Sequence, residues 1–188
     1  MVLGASGATG RLVVSQLLKE NFDVIAIVRS ADKCPFDATD SEKLQIVEAK
    51  IAAISAETLA SLMVGCDAVI SCLGHNVTFK GMFGQPKKLV TLAVEKVYQA
   101  TQLNTSKIKF VLMNTTGNSN RDIVEQTPFS QKLVIAILRK ILPPHVDNEL
   151  ASDFLRLNVG QNNPLLDWVV VRPDGLVNEH DVTEYEVH

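Results

Sequence analysis

Three glycines, two hydroxyl side chains and one arginine have the types and spacing that could do chemistry in this chain. Gly4, Gly7 and Gly10 follow a three-residue apolar start as G-x-x-G-x-x-G, and an apolar helical pattern begins at once. The implied order is strand, tight turn, helix. Gly4 would leave the strand in a turn that a Cβ obstructs. Gly7 would let backbone N–H groups approach a phosphate, and Gly10 would let the helix pack close to the sheet. Along Ala5, Ser6, Gly7, Ala8, Thr9 and Gly10, free N–H groups and the positive end of the helix dipole would hold a pyrophosphate, with the Ser6 and Thr9 hydroxyls as added donors. Arg29 stands nineteen residues after Gly10, at the end of the run Asp23–Val28. An acidic residue there suits the ribose 2′-hydroxyl of NAD. An arginine suits the 2′-phosphate of NADP, because its fork matches phosphate oxygens. Lys33 offers a second positive charge, and the plain alternative is a solvated arginine at a strand end.

The elements that would position these residues alternate between two periods. Leu12, Val13, Leu17 and Leu18 fall at helical spacing, with Arg11, Gln16, Lys19 and Glu20 toward water and Asn21 as a stop. Asp23–Val28 and Leu44–Ala49 read as strands. Ser55–Met63 reads as a short helix capped by Ser55 and ended by Gly65. Asp67–Leu73 is a fourth strand, Pro86–Thr101 a long helix with Leu89, Leu92, Ala93, Val97 and Ala100 facing in, Ile108–Met113 a fifth strand and Trp168–Val171 a sixth. Between the last two lie helices over Ser130–Leu142, stopped by Pro143-Pro144, and over Asn148–Val159. Strands alternating with helices predict an α/β fold, a Rossmann-type doubly wound parallel sheet forming one domain over residues 1–188, with a substrate-side insert at about 117–165. Three residues are few for a central first strand.

The bulk properties narrow the function classes. With 188 residues, 46% hydrophobic and 21% charged, the chain has the makings of one packed domain. A net charge of −3 argues against nucleic acid as the main partner. Cys34, Cys66 and Cys72 show no C-x-x-C and fit a reduced, cytoplasmic setting, with Cys72 read as a small apolar residue. The four histidines lack metal-ligand spacing. No signal peptide is recognisable, and the longest aliphatic run, Leu133–Leu138, is far too short to cross a bilayer. The helix at 131–140 reads either as a cover packed on the sheet or as a membrane-surface or dimer element. Asp147 and Glu149 read as helix-start carboxylates.

In a doubly wound sheet, ligands bind at the carboxyl ends of the strands. Gly4–Gly10 follow strand one and Arg29 follows strand two. Cys72, Leu73, Gly74 and His75 follow strand four, Asn114–Gly117 follow strand five, and Arg172-Pro173 follow strand six. Five distant segments therefore converge on one crevice. Thr115 and Pro173 join its cofactor-binding set.

With those residues placed, the chain resembles the atypical short-chain dehydrogenase/reductase superfamily, the NAD(P)H-binding, NmrA-like and biliverdin/flavin-reductase-like group. The resemblance rests on G-A-S-G-A-T-G at 4–10, I-V-R-S at 27–30, D-A-V-I-S-C-L-G at 67–74, K-F-V-L-M-N-T-T at 109–116 and V-V-V-R-P-D-G-L at 169–176. It implies that Arg29 and Lys33 hold the NADP 2′-phosphate and that Leu73–His75 line the ribose and nicotinamide side. Thr116 would stand beside the nicotinamide, and His75 is a candidate proton donor. Three features depart from the group. The Tyr-x-x-x-Lys pair is missing, since Tyr98 is followed by Gln102. Ala49-Lys50-Ile51 replaces the Gly-Asp that relatives place at the adenine. The usual C-terminal strand and helix are not within this sequence, and a piece of about 30 residues by domain-size norms is expected beyond His188. Two functions remain open: an NADPH-dependent reductase of a small conjugated acceptor such as a flavin, quinone or related carbonyl, and a non-catalytic NADP(H)-binding redox sensor, with a homodimer as an open arrangement of the chain. A sugar-nucleotide epimerase is a distant third, because that chemistry leans on the missing tyrosine.

Overall fold

The structure is a computed structural model that describes residues 1–36, 41–75, 84–123, 129–173, 176 and 184–186. Six parallel strands form one sheet: β1 (Val2–Leu3), β2 (Val24–Val28), β3 (Leu44–Glu48), β4 (Ala68–Ser71), β5 (Ile108–Met113) and β6 (Leu166–Val171). Their spatial order is β3-β2-β1-β4-β5-β6. The order reverses at β1, so the crevice for a ligand opens between β1 and β4. β1 is only two residues long. Its ladder is extended by the Met1 carbonyl, which accepts from Ile70 N at 2.9 Å, and by the Leu3 carbonyl, which accepts from Cys72 N at 2.9 Å.

Successive side chains of a strand point to opposite faces, and β1 shows it. Val2 packs with Val14, Val24, Ala26 and Val28 on one side. Leu3 joins Leu59, Met63, Val94, Phe110, Leu112 and Leu155 on the other. The first side is covered by α1 (Ala8–Lys19), the second by α2 (Ala56–Met63), α3 (Leu89–Thr101) and α5 (Pro143–Phe154). A further helix, α4 (Phe129–Ile141), packs on α5, where Arg139 Nε and Nη2 fork onto the Glu149 carboxylate at 2.8–2.9 Å.

Local signals place most element ends. Ser55 Oγ accepts from Thr58 N at 3.1 Å as the cap of α2, and Gly65 follows that helix at φ +79. Asn21 takes φ 68 after α1. Its N–H donates to Leu18 O and that of Phe22 to Leu17 O, the double hydrogen bond of a left-handed helix stop. Pro143-Pro144 do more than end α4: they occupy the first turn of α5, where a missing N–H costs nothing. That helix therefore starts five residues before the expected Asn148. It passes into a π turn at Leu155–Val159, so Asp147 and Glu149 are buried inside it and do not start it.

Two expected helix faces hold in part and shift at single positions. Leu12 is 57% exposed, while Val14 is fully buried beside Gly10. α3 begins at Leu89 rather than Pro86, and it buries Val90, Thr91 and Val94 more deeply than Leu89 or Leu92. On α1 the close approach at Gly10 fixes the buried stripe, and on α3 Ala93, Val97 and Ala100 are buried as expected.

Candidate functional site

The glycine turn has the geometry its spacing implies. Gly4 sits at φ +72, and a Cβ on it would lie 3.0 Å from the Cys72 carbonyl oxygen across the β1–β4 crevice. Gly7 N donates to Gly4 O at 3.0 Å, which closes the turn. Gly7 is then the N-cap of α1, without any side-chain cap and with no acidic residue in the first turn. The first N–H groups of a helix have no intrahelical acceptor. With no carboxylate to offset the dipole, this end is suited to an anion. Gly7 and Ala8 are exposed, Ser6 and Thr9 half-buried, and Ala5 buried. This cradle fits a dinucleotide phosphate.

Arg29 is exposed directly after β2, next to the turn, whose Ala5 N donates to Ile27 O at 3.3 Å. Among the described residues it has no ion-pair partner. The neighbouring carboxylate, Glu48 at the end of β3, accepts from Ala31 N at 2.9 Å and so orders the segment after Arg29. Lys33 ends a short 3-10 turn over Ala31–Lys33; its side chain lies outside the described residues. Leu73 reaches the turn, its Cδ2 3.2 Å from where a Cβ on Gly4 would be. Gly74 is exposed. Burial pushes the Cys72 thiol up to about 11, so it stays protonated and unreactive at neutral pH.

At the end of β5 a polar network fixes the backbone. Asn114 Nδ2 donates to Asn148 O at 3.0 Å and to Ser152 Oγ at 2.9 Å, while its Oδ1 accepts from Thr115 N at 2.9 Å. Asn118 Nδ2 reaches the same Ser152 Oγ at 2.6 Å. Thr115 Oγ1 accepts from Gly117 N at 3.3 Å, and Thr116 N donates to Pro173 O at 3.3 Å. Thr116 itself is exposed, and Arg172 Nη1 holds Asn118 O at 2.7 Å. Thr115, Thr116 and Pro173 thus form one group, and the glycine turn with Cys72 and Leu73 forms another. Asn148 and Ser152 carried no spacing signal, since they act from a different helix.

His75 is placed differently. Its ring is 5% exposed, with Nε2 2.8 Å from Asp147 Oδ2 on α5. Tyr98 belongs to the core, in an edge-to-face contact with Phe154 at 5.9 Å between ring centroids, while Tyr185 is 76% exposed. Among the described residues no three His, Cys, Asp or Glu lie close enough to hold a metal ion, and no helix is long and apolar enough to cross a membrane.

A six-stranded parallel sheet with a glycine turn at its reversal point defines a Rossmann-type dinucleotide-binding protein. The NAD(P)H-binding family matches residues 4–188, and the chain belongs to that family. This agrees with the resemblance to the atypical short-chain dehydrogenase/reductase group. A search of curated protein sequences finds no match. Among solved structures, the chain is similar to Gre2 from Candida albicans in complex with NADPH, at 16% identity and a TM-score of 0.63 over 92% of this chain and 56% of that one. It is also similar to yeast methylglyoxal/isovaleraldehyde reductase Gre2 complexed with NADPH, at 14% identity and TM-score 0.64, over 92% and 56%. A third is the Bordetella bronchiseptica enzyme WbmH in complex with NAD+, at 16% identity and TM-score 0.61, over 97% and 57%. The chain therefore spans a little over half the length of these structures, and at such identities the likeness shows the fold.

Proposed function

We propose that this protein is an NADPH-dependent reductase of a small conjugated acceptor, such as a flavin, a quinone or a related carbonyl. The observation that carries the reading is Arg29, exposed beside the glycine turn at the position where an acidic residue would favour NAD. The turn Gly4–Gly10 holds the pyrophosphate through first-turn N–H groups and the Ser6 and Thr9 hydroxyls. Arg29 and Lys33 hold the 2′-phosphate, and Cys72, Leu73, Gly74, Thr115 and Pro173 line the rest of the crevice.

NADPH, when bound, would supply the hydride. The chain supplies orientation and a hydrogen bond from the exposed Thr116 hydroxyl to the acceptor. Tyr98 is packed in the core and has no lysine four residues on, so no tyrosine there serves as a general acid. An acceptor whose reduced form is a stabilised anion can take its proton from solvent, which favours the conjugated class. Two similar solved structures hold NADPH, and one of them is a methylglyoxal/isovaleraldehyde reductase. The net charge of −3 favours a small molecule over nucleic acid as partner. A reduced, cytoplasmic setting is proposed with it. Val134, Ile137 and Ile141 leave an exposed apolar stripe on α4 that would serve a homodimer.

The test is a titration with NADPH and NADH, beside Arg29→Glu. Preference for NADPH that Arg29→Glu removes supports the cofactor assignment, and equal binding of both cofactors discards it. NADPH binding with no oxidation across a broad acceptor panel would leave the redox-sensor function in its place.

A further inference from the structure

We infer that Asp147 is a positioning residue for the cofactor crevice: it holds His75 in the tautomer protonated at Nε2 and pins the Leu73–His75 segment to the N-terminus of α3. Asp147 is fully buried in α5. Its Oδ2 accepts from Val90 N at 2.8 Å, and its Oδ1 accepts from Thr91 N at 3.0 Å and Thr91 Oγ1 at 2.7 Å. Those amides belong to the first turn of α3, whose own N-cap residue, Lys88, offers no side-chain acceptor. The cap is therefore delivered from another helix. A carboxylate facing two amides, a hydroxyl and the positive end of a helix acts as an acceptor. The 2.8 Å contact with His75 is then a donation from Nε2–H.

This commitment has a consequence for the crevice, on the reading of Gly4–Gly10 as the cofactor turn. His75 is two residues from Leu73, whose Cδ2 abuts Gly4. The chain Asp147, His75, Leu73, Gly4 links the buried cap of α3 to the turn that would hold the pyrophosphate. It also gives His75 a tethering role in place of the expected proton donor, with its Nε2 proton committed to the Asp147 carboxylate.

Nitrogen NMR of the cofactor-free protein, labelled at histidine and assigned by the signal lost in His75→Gln, reads the tautomer directly. A proton on Nε2 in slow exchange is expected; a proton on Nδ1 overturns the assignment. The second arm compares His75→Gln, which can still donate to Asp147, with His75→Leu, which cannot. Glutamine should keep the NADPH Kd within about threefold and leave any pH–rate profile unshifted. Leucine should weaken binding about tenfold or more. Equal effects from the two, in either direction, sink the proposal, as does a shifted profile in the glutamine variant. If the parent binds no NADPH, the function reading fails by itself. The tautomer and the melting temperatures of the two variants then decide the role of Asp147.

Discussion

A Cβ placed on Gly10 would lie 2.2 Å from the carbonyl oxygen of Gly4 and 2.9 Å from its carbonyl carbon. The obstacle is backbone at the bottom of the turn, so no rotamer change relieves it.

Gly10→Ala should therefore push α1 away from β1 and open the turn. Overpacking of this kind costs about 1–3 kcal/mol, roughly 2–12 °C in melting temperature for a domain of this size. Nicotinamide-cofactor binding should fall with it. A variant that melts with the parent and binds cofactor equally would show that the turn has slack.

The β5-end network predicts a coupled pair. Asn114→Ala removes both donations to α5 and leaves Thr115 N without its acceptor, at a cost of about 1–3 kcal/mol. Ser152→Ala removes the hydroxyl shared with Asn118. Because the two side chains touch, denaturant unfolding of the single and double variants should give a coupling of about 0.5 kcal/mol or more. Simple additivity would count against the shared bond.

Cys72 should be the slowest cysteine to alkylate. With its pKa raised from 9.0 to about 11 by burial, its thiolate fraction at pH 8 is about a hundredth of that of an unperturbed thiol. Mass spectrometry after iodoacetamide treatment should show labelling slower by that factor until the protein unfolds. Linkage has a definite sign here. The native state holds this proton more tightly, so the contribution is present below about pH 9 and is lost as pH rises toward 11.

Thr116→Val tests the chemical step apart from binding. The hydroxyl is exposed at the end of β5, while the Thr116 backbone N–H is held by Pro173 O. Turnover with an accepted substrate should fall about tenfold with the NADPH Kd unchanged, as for a hydrogen bond made in the transition state. A loss of cofactor affinity in place of turnover would move Thr116 to the binding set.

Much of the framework was legible because its signals are short-ranged. G-x-x-G-x-x-G constrains a turn through its own backbone, and β5 falls at Ile108–Met113 as its apolar run implies. Ser55 and Asn21 act within three or four residues of the helix ends they define. The alternation of these elements was enough to determine a parallel doubly wound sheet, whose strands all end on the same edge.

Only the tertiary structure decided what long-range contacts control. Periodicity put Leu12 in the α1 stripe, whereas the close approach at Gly10 puts Val14 there and leaves Leu12 exposed. Asp147 looked like a helix-start carboxylate, yet it caps a different helix 56–57 residues earlier and binds His75, 72 residues earlier. Asn114 meets Ser152 across 38 residues. A hydrogen bond between side chains on separate elements needs only a donor and an acceptor brought to about 3 Å. No spacing in the chain encodes that meeting; packing of the helices on the sheet brings it about.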